Sequence, residues 1–548
     1  MGEENFVQKP LVKALNEAIF APEANVSDLR VDTPGGRFQV RWEEGGSATA
    51  LGQLPFFAEW LEVTGLFSRW LEQSPFDYTS PNAPKPQDVL GTWLLSILDG
   101  QRRYSHVTGL RGDCVAPQIL GMTKIISDES LRRGLAHLAP VIDLKLDEAE
   151  LTKRKAQLEK TVKWMDESLR ESIREALKTP WILDIDPTVK PLYGNQDGAE
   201  ISYNPKKPGR PSHVIHTYWM SNVRMVLDAE VQKGKDHASK HSLPRLIELL
   251  QSMSAEELPW LVRGDSANGN DIVMKALEAI EQHYLFKLRQ TINVKKLIDR
   301  MWSRNDWVDV GQGCQAVEAK LKLAGWSCSR RVVVVRSPAK GEMKKGAKST
   351  KGRKPKQQSL ALVGASEPDK IWDYSVLITN TKIDLVAIGQ LYRDRADCEN
   401  GFDELKNQWG WGGYTTQDME RCNLSARAVA LIYNWWSWYV RLAHPQSRLE
   451  GITSRPMLLA GIAHLTEHAN QSRLYLTITH ASSDKIKSMI SNVRNGINHI
   501  RQTAPQLAKI DAWKVMLNYI IEKILACVPK MQAQPTFQLV RDTGLGVG

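Results

Sequence analysis

Cysteine is scarce in this sequence of 548 residues. Cys114, Cys314, Cys328, Cys398, Cys422 and Cys527 are scattered, and no two of them stand two to four positions apart. That spacing excludes a zinc ribbon or finger and leaves free thiols as the expectation. The histidines form no H-E-x-x-H pattern. His237 and His241 stand four apart, but the segment around them (GKDHASKHSLP) is too polar for a metal-binding helix. There is no run of about 18 uncharged apolar residues, so no membrane span is expected. The nearest approach, Leu424–Val440, is interrupted by Arg427 and Asn434 and reads as a buried helix. The opening MGEENFVQKP has no apolar stretch of the kind a secretion signal carries, so a cytoplasmic protein is expected. A hydrophobic fraction of 42% with 24% charged residues excludes a collagen-like or wholly disordered chain.

What the chain has in surplus is positive charge. Its 72 Lys and Arg against 62 Asp and Glu give a net +10. Such a surplus favours polyanionic partners, with nucleic acid the commonest. The charge is densest at 340–356 (KGEMKKGAKSTKGRKPK), where Lys344, Lys345, Lys348, Lys351, Arg353 and Lys354 stand among Gly, Ser, Thr and Pro. A stretch this polar cannot bury a core and reads as a loop, either solvated or laid on a phosphate backbone.

Texture divides the chain into five regions. Residues 1–175 are mostly helical and could recognise DNA. Leu90, Trp93, Leu94, Ile97 and Leu98 recur at helical spacing and predict one apolar face. Ser127 predicts the cap of a helix through Leu131 and Leu135, with Arg132 and Arg133 on its outer side. Residues 176–293 alternate strands and helices: Trp181–Val189, His213–Met220, Arg224–Val231, Leu258–Arg263 and Tyr284–Leu288 read as strands. Residues 294–372 read as a mainly β insertion holding the basic loop. Residues 373–445 resume the sheet, and Asp384 predicts the cap of one long helix reaching about Trp409. Residues 446–548 form a C-terminal helical region with a tail.

Three carboxylates stand where chemistry is done. Asp186 lies within an apolar strand. Asp265 lies at the C-terminal end of another strand, where α/β sheets place ligands. Glu399 lies on the long helix. Carboxylates gathered from separate segments suit Mg²⁺, which takes hard oxygen ligands and keeps positions open for water and phosphate. The helix also reads Tyr392-x2-Arg395-x3-Glu399-x6-Lys406. On a continuous helix these four fall within an arc of about 60°. A stripe of this kind is either a salt-bridged surface or a metal site facing a phosphate. Arg393 falls outside the arc. Asp184, two residues before Asp186, and Asp403, one turn after Glu399, remain alternative ligands.

On these residues the chain resembles the DDE-class transposases of bacterial insertion sequences, in the branch with the Y-x2-R-x3-E-x6-K signature. Asp186-Pro187-Thr188 is similar to the family's first motif, and Arg263-Gly264-Asp265-Ser266 to its second. The segments PLYGNQDGAEISYNPKKPGRPSH and WGWGGYTTQDMERCNLSARAVALIYNWW also look like one transposase subgroup. The resemblance implies an α/β chain with an RNase H-like catalytic core, a mainly β insertion and flanking helical regions. It implies Asp186, Asp265 and Glu399 as catalytic metal ligands for Mg²⁺, two ions in all, with Mn²⁺ able to substitute. Tyr392, Arg395 and Lys406 become contacts to the transposon ends. The implied partners are double-stranded DNA at the inverted repeats and the target, and a second copy of the chain in the synaptic complex. The implied setting is a bacterial cytoplasm, at the nucleoid when DNA is bound. The alternatives are an RNase H-like nuclease that cuts without joining, and a DNA-binding descendant of a transposase. An aromatic of the insertion could also hold a flipped base, with Trp302, Trp307 and Trp326 available.

Overall fold

Two periodicities set the architecture. Apolar residues recur every three to four positions over 54–173, which folds as helices, and alternate over much of 182–379, which folds largely as strands. The computed structural model describes residues 29–41, 46–204, 207–236, 238–338, 362–363, 371–469, 471–477, 482–503 and 509–527. The chain divides into two compact units, 1–47 and 48–548. In the first, Leu29–Thr33 and Gly36–Val40 pair as an antiparallel hairpin.

The second unit begins with helices. α1 (Pro86–Leu98) is buried at every residue from Asp88 to Leu98, so its environment is apolar all round and not on one face as its spacing predicts. The Ser127 side chain accepts from Ser130 N and caps α2 (Asp128–Leu138) as expected. α3 (Glu148–Ile173) leads into the sheet.

Eleven strands form one mixed sheet among the described residues. They are β1 (Ile182–Pro191), β2 (Glu200–Ile201), β3 (Pro211–Met220), β4 (Met225–Lys233), β5 (Leu261–Gly264), β6 (Tyr284–Lys287), β7 (Val308–Asp309), β8 (Gln315–Leu321), β9 (Arg330–Pro338), β10 (Leu362–Val363) and β11 (Ile371–Thr379). The order is β7-β8-β9-β11-β6-β5-β1-β3-β2, with β4 also on β3 and β10 also on β11. β1 and β5, and β5 and β6, run parallel. Parallel neighbours need crossovers, and helices α4 (Leu243–Gln251) and α5 (Asp271–Ala279) lie on these two. β5 is shorter than its apolar run predicts, because Leu258 lies in a turn and Pro259 has no N–H to give a ladder. The 294–372 segment extends the same sheet: β9 pairs along β11, which pairs with β6.

The long helix predicted from Asp384 is two helices, α6 (Leu385–Arg393) and α7 (Ala396–Gln408). Asp384 does cap the first, accepting from Ala387 N at 2.8 Å. The break falls at Asp394–Arg395, and its cause is on the sheet. Arg263 of β5 donates through Nη1 to the Leu391 carbonyl, which a continuous helix would offer to the Arg395 N–H. That N–H bonds Tyr392 O instead, at 3.3 Å, so the junction tightens. The two glycines suit close packing. A Cβ on Gly389 would lie 2.9 Å from Val310, and one on Gly401 would lie 2.5 Å from the Trp219 ring.

α8 (Met419–Ala443) is buried along most of its length and packs on β4 and α3. It is capped by Asp418. Helices Ser483–Thr503 and Lys509–Cys527 complete the C-terminal region, beside a hairpin of Ala463–His468 with Gln471–Leu476. Among the described residues no helix is long and apolar enough to cross a membrane.

Candidate active site

β1 and the end of β5 carry the first two carboxylates. Asp184 is level with Arg263 and Ile185 with Gly264. The paired register ends there; Asp186 follows on β1, Asp265 lies just past the end of β5, and the Asp265 charge acts on Asp186. Asp265 is held in place by its own turn: its Oδ1 accepts from Ala267 N at 2.9 Å and from Asn268 Nδ2 at 3.2 Å. A Cβ on Gly264 would stand 2.8 Å from that Asn268 nitrogen, so only glycine leaves the turn its room.

α7 brings the third carboxylate. Arg395 is buried at the junction of α6 and α7, and its guanidinium meets the sheet. It donates through Nη2 to Asp186 and through Nη1 to Glu399 Oε1 at 3.2 Å. Glu399 itself remains 66% exposed, and Asp186 is 19% exposed. An ion pair of Arg224 with Asp397 ties the start of α7 to the β3–β4 turn.

The electrostatics tie the group together. Burial raises the Asp186 carboxyl to about 7; Arg395 and Lys406 pull it down, and the charges of Asp265 and Glu399 push it up. The Tyr392 phenol is raised to about 12, first by burial, with Arg395 opposing and all three carboxylates adding. Residues from β1, the β5 end, α6 and α7 therefore act on one another's charge. Among the described residues, no three His, Cys, Asp or Glu close into a geometry that holds a metal ion. The Arg395 guanidinium bridges two of the carboxylates.

The alternatives fall elsewhere. Asp184 is fully buried and takes Arg263 Nε at 2.6 Å and Nη2 at 2.7 Å, which closes it off. Asp403 is exposed and accepts from Asn407 Nδ2 at 2.8 Å. Arg393 donates to Val310 O at 2.6 Å and anchors α6 to the sheet edge. Of the tryptophans, Trp307 lies under Arg336, 4.1 Å from ring centroid to guanidinium, and Trp326 lies under Arg330 at 5.6 Å. Trp302 is half-buried against the core. His237 lies outside the described residues, as do Lys344, Lys345, Lys348, Lys351, Arg353 and Lys354.

Arg263 and Arg224 have structural roles that their sequence neighbourhoods do not disclose. Arg263 stands out only as the first letter of RGDS, and its partner Asp184 is 79 positions away. Arg224 has a left-handed backbone (φ 53°) in a tight turn, which no residue type announces.

Comparison with known proteins follows the same lines. The chain is similar to the cryo-EM structure of a piggyBac transposase synaptic complex with hairpin DNA, at 12% identity and a TM-score of 0.37, over 89% of this chain and 87% of that one. A likeness that distant carries no argument. No curated protein sequence matches. The profile of the family described as "Transposase DDE domain group 1" matches residues 85–497, which takes in all three carboxylates and most of the chain. The chain belongs to that family, the DDE-domain transposases.

Proposed function

We propose that this protein is the transposase of a bacterial insertion sequence, of the branch with the Y-x2-R-x3-E-x6-K signature. It binds the terminal inverted repeats of its element, cleaves DNA at the ends and joins them to target DNA. The single observation that carries this reading is the convergence at Asp186. In support, Asp265 follows β5, the parallel neighbour of β1, its charge acts on Asp186, and Arg395 at the start of α7 donates to both Asp186 and Glu399.

The chemistry of the donors suits a divalent cation, although in this structure the three carboxylates do not close round one. Three carboxylates are the hard oxygen ligands Mg²⁺ takes, and Mn²⁺ can substitute. Asp186 is burdened by burial and by two like charges, which a cation would relieve. Asp186, Asp265 and Glu399 would hold such ions, which would supply a water nucleophile at neutral pH and charge stabilisation for the attacking and leaving oxygens. The protein's own groups do the rest. Asp265 is pre-set by Ala267 and Asn268. Arg395 spans Asp186 and Glu399 and places positive charge beside the reacting phosphate. Tyr392, raised to about 12, keeps its proton and can donate it in a hydrogen bond. Lys406, half-buried two turns after Glu399, faces a second phosphate.

The sheet supports an RNase H-like core. β1, β3 and β4 form an antiparallel unit, and β5 and β6 continue it in parallel through helices. On this reading 176–293 and 373–445 form the core, 294–372 the insertion, whose basic residues at 340–356 contribute to DNA affinity, 1–175 the end-recognition region and 446–548 a helical support. Two ends must be joined together, so the working unit is a homodimer.

The test is a cleavage and strand-transfer assay on the DNA flanking the gene. End cleavage and joined product are expected in Mg²⁺. Cleavage without joining would favour a nuclease. Undiminished cleavage by folded Asp265→Asn would overturn the reading.

A further inference from the structure

A cavity of about 470 Å³ opens on the Lys406 side of the carboxylates. Its wall comes from separate parts of the chain. Arg102 and Arg103 follow α1, Arg132 stands on α2, Lys406 on α7, and Tyr193 follows β1. No Asp or Glu lines it.

Four cations around one space repel one another. Arg102 donates to the Asn407 carbonyl. Arg132 lies 4.6 Å over the Tyr104 ring and 3.9 Å from Asp128. The Arg103 side chain is exposed and makes no ion pair among the described residues. The positive surface continues past Tyr193, whose ring carries Lys207 at 4.9 Å and Arg210 at 4.6 Å.

The arginines are also fixed relative to the carboxylates. Tyr414 N donates to Arg102 O at 2.8 Å, and a Cβ on Gly413 would lie 2.2 Å from that same oxygen. Buried Lys190, on β1 with Asp186, donates to Gly413 O at 3.1 Å. The loop after α7 thus clamps Arg102 and Arg103 to the helix that carries Glu399 and Lys406.

We propose that this cavity is a binding site for the sugar-phosphate backbone of DNA leaving the carboxylates, with Arg102, Arg103 and Arg132 on successive phosphates. The proposal rests on the transposase reading and gives the N-terminal region a defined contact. It also separates two neighbours on α2. Arg132 lines the cavity, whereas Arg133 is 79% exposed and pairs with Glu129 at 3.0 Å.

The test is fluorescence anisotropy of a labelled mixed-sequence duplex across a KCl series. Arg103→Gln should flatten the slope of log K on log salt by about 0.9, and the triple Arg102→Gln, Arg103→Gln, Arg132→Gln variant by about 2.7. Arg133→Gln should leave it unchanged. Should the triple variant misfold, Arg103→Gln still decides, since that side chain has no ion pair to lose. An unchanged slope in Arg103→Gln, with wild type binding and nicking in Mg²⁺, overturns this site and leaves the transposase reading standing. Failure of wild type to bind the duplex at low salt overturns both. Inorganic phosphate that binds the wild type but not Arg103→Gln, with identical DNA slopes, would assign the cavity to a small anion and overturn the DNA contact.

Discussion

Two aspartates stand two residues apart on one strand, each gripped by an arginine, and they serve different ends. Asp184 and Arg263 are both fully buried and joined by two bonds of 2.6 and 2.7 Å. The remaining donors of Arg263 go to Ser221 Oγ and the Leu391 carbonyl, so charge and hydrogen bonds both close. Asp186 and Arg395 form a pair that does not close. Asp186 keeps 19% of its side chain exposed, and Asp265 and Glu399 add their charges to it. A buried pair with nothing left over is framework; a pair with surplus carboxylate beside an opening can take a cation and a phosphate. The two are also linked. Arg263 takes the Leu391 carbonyl at the junction where α6 ends, and Arg395, at the start of α7, donates to Asp186.

The largest expected effects separate the pairs by activity. Asp186→Asn, Asp265→Asn and Glu399→Gln should each reduce Mg²⁺-dependent cleavage by on the order of 10³-fold or more, read on gels with end DNA. Duplex affinity should stay near wild type, because it comes from Lys and Arg on phosphates. Asp184→Asn should instead act on stability. It leaves Arg263 buried without its partner, at a cost of about 3–5 kcal/mol in urea denaturation. If Asp184→Asn were as stable as wild type and inactive, the assignment of the two aspartates would be reversed.

Smaller effects sharpen the same contrast. Arg395→Lys keeps the charge but cannot bridge two carboxylates in one plane, and should slow cleavage by up to about 10²-fold in folded protein. Asp403→Asn tests the exposed carboxylate one turn along α7. It should change stability by no more than about 0.5 kcal/mol and leave cleavage unaltered.

Much of this was legible before any coordinates. Ser127 and Asp384 announce their helices because a cap needs only a side-chain oxygen at the right position. Asp265 is legible as a carboxylate at a strand end. Strand periodicity alone does not separate Asp184 from Asp186, because both face the same side of β1; in the sequence only the motif spacing chooses Asp186. What separates them is Arg263 standing level with Asp184 across a parallel register, a relation between residues 79 positions apart. The helix break was hidden for the same reason. No proline stands at Asp394–Arg395, and its cause is a bond from another strand. Tyr392, at the end of α6, is therefore separated by the break from Arg395 and Glu399, which pair four residues apart at the start of α7. Gly410 and Gly413 are conspicuous in the sequence, but their reason, the approach of the Gln101–Arg102 backbone, lies in the N-terminal region.

The central claim is that Asp186, Asp265 and Glu399 form one cation-dependent DNA-cutting site. Nicking of a supercoiled plasmid carrying the gene's flanking DNA tests it most directly, with wild type and Asp265→Asn side by side, in Mg²⁺ and in EDTA. The account predicts nicking by wild type in Mg²⁺ alone, and none by Asp265→Asn that folds and binds the plasmid as wild type does. Folded Asp265→Asn that nicks at the wild-type rate would contradict it.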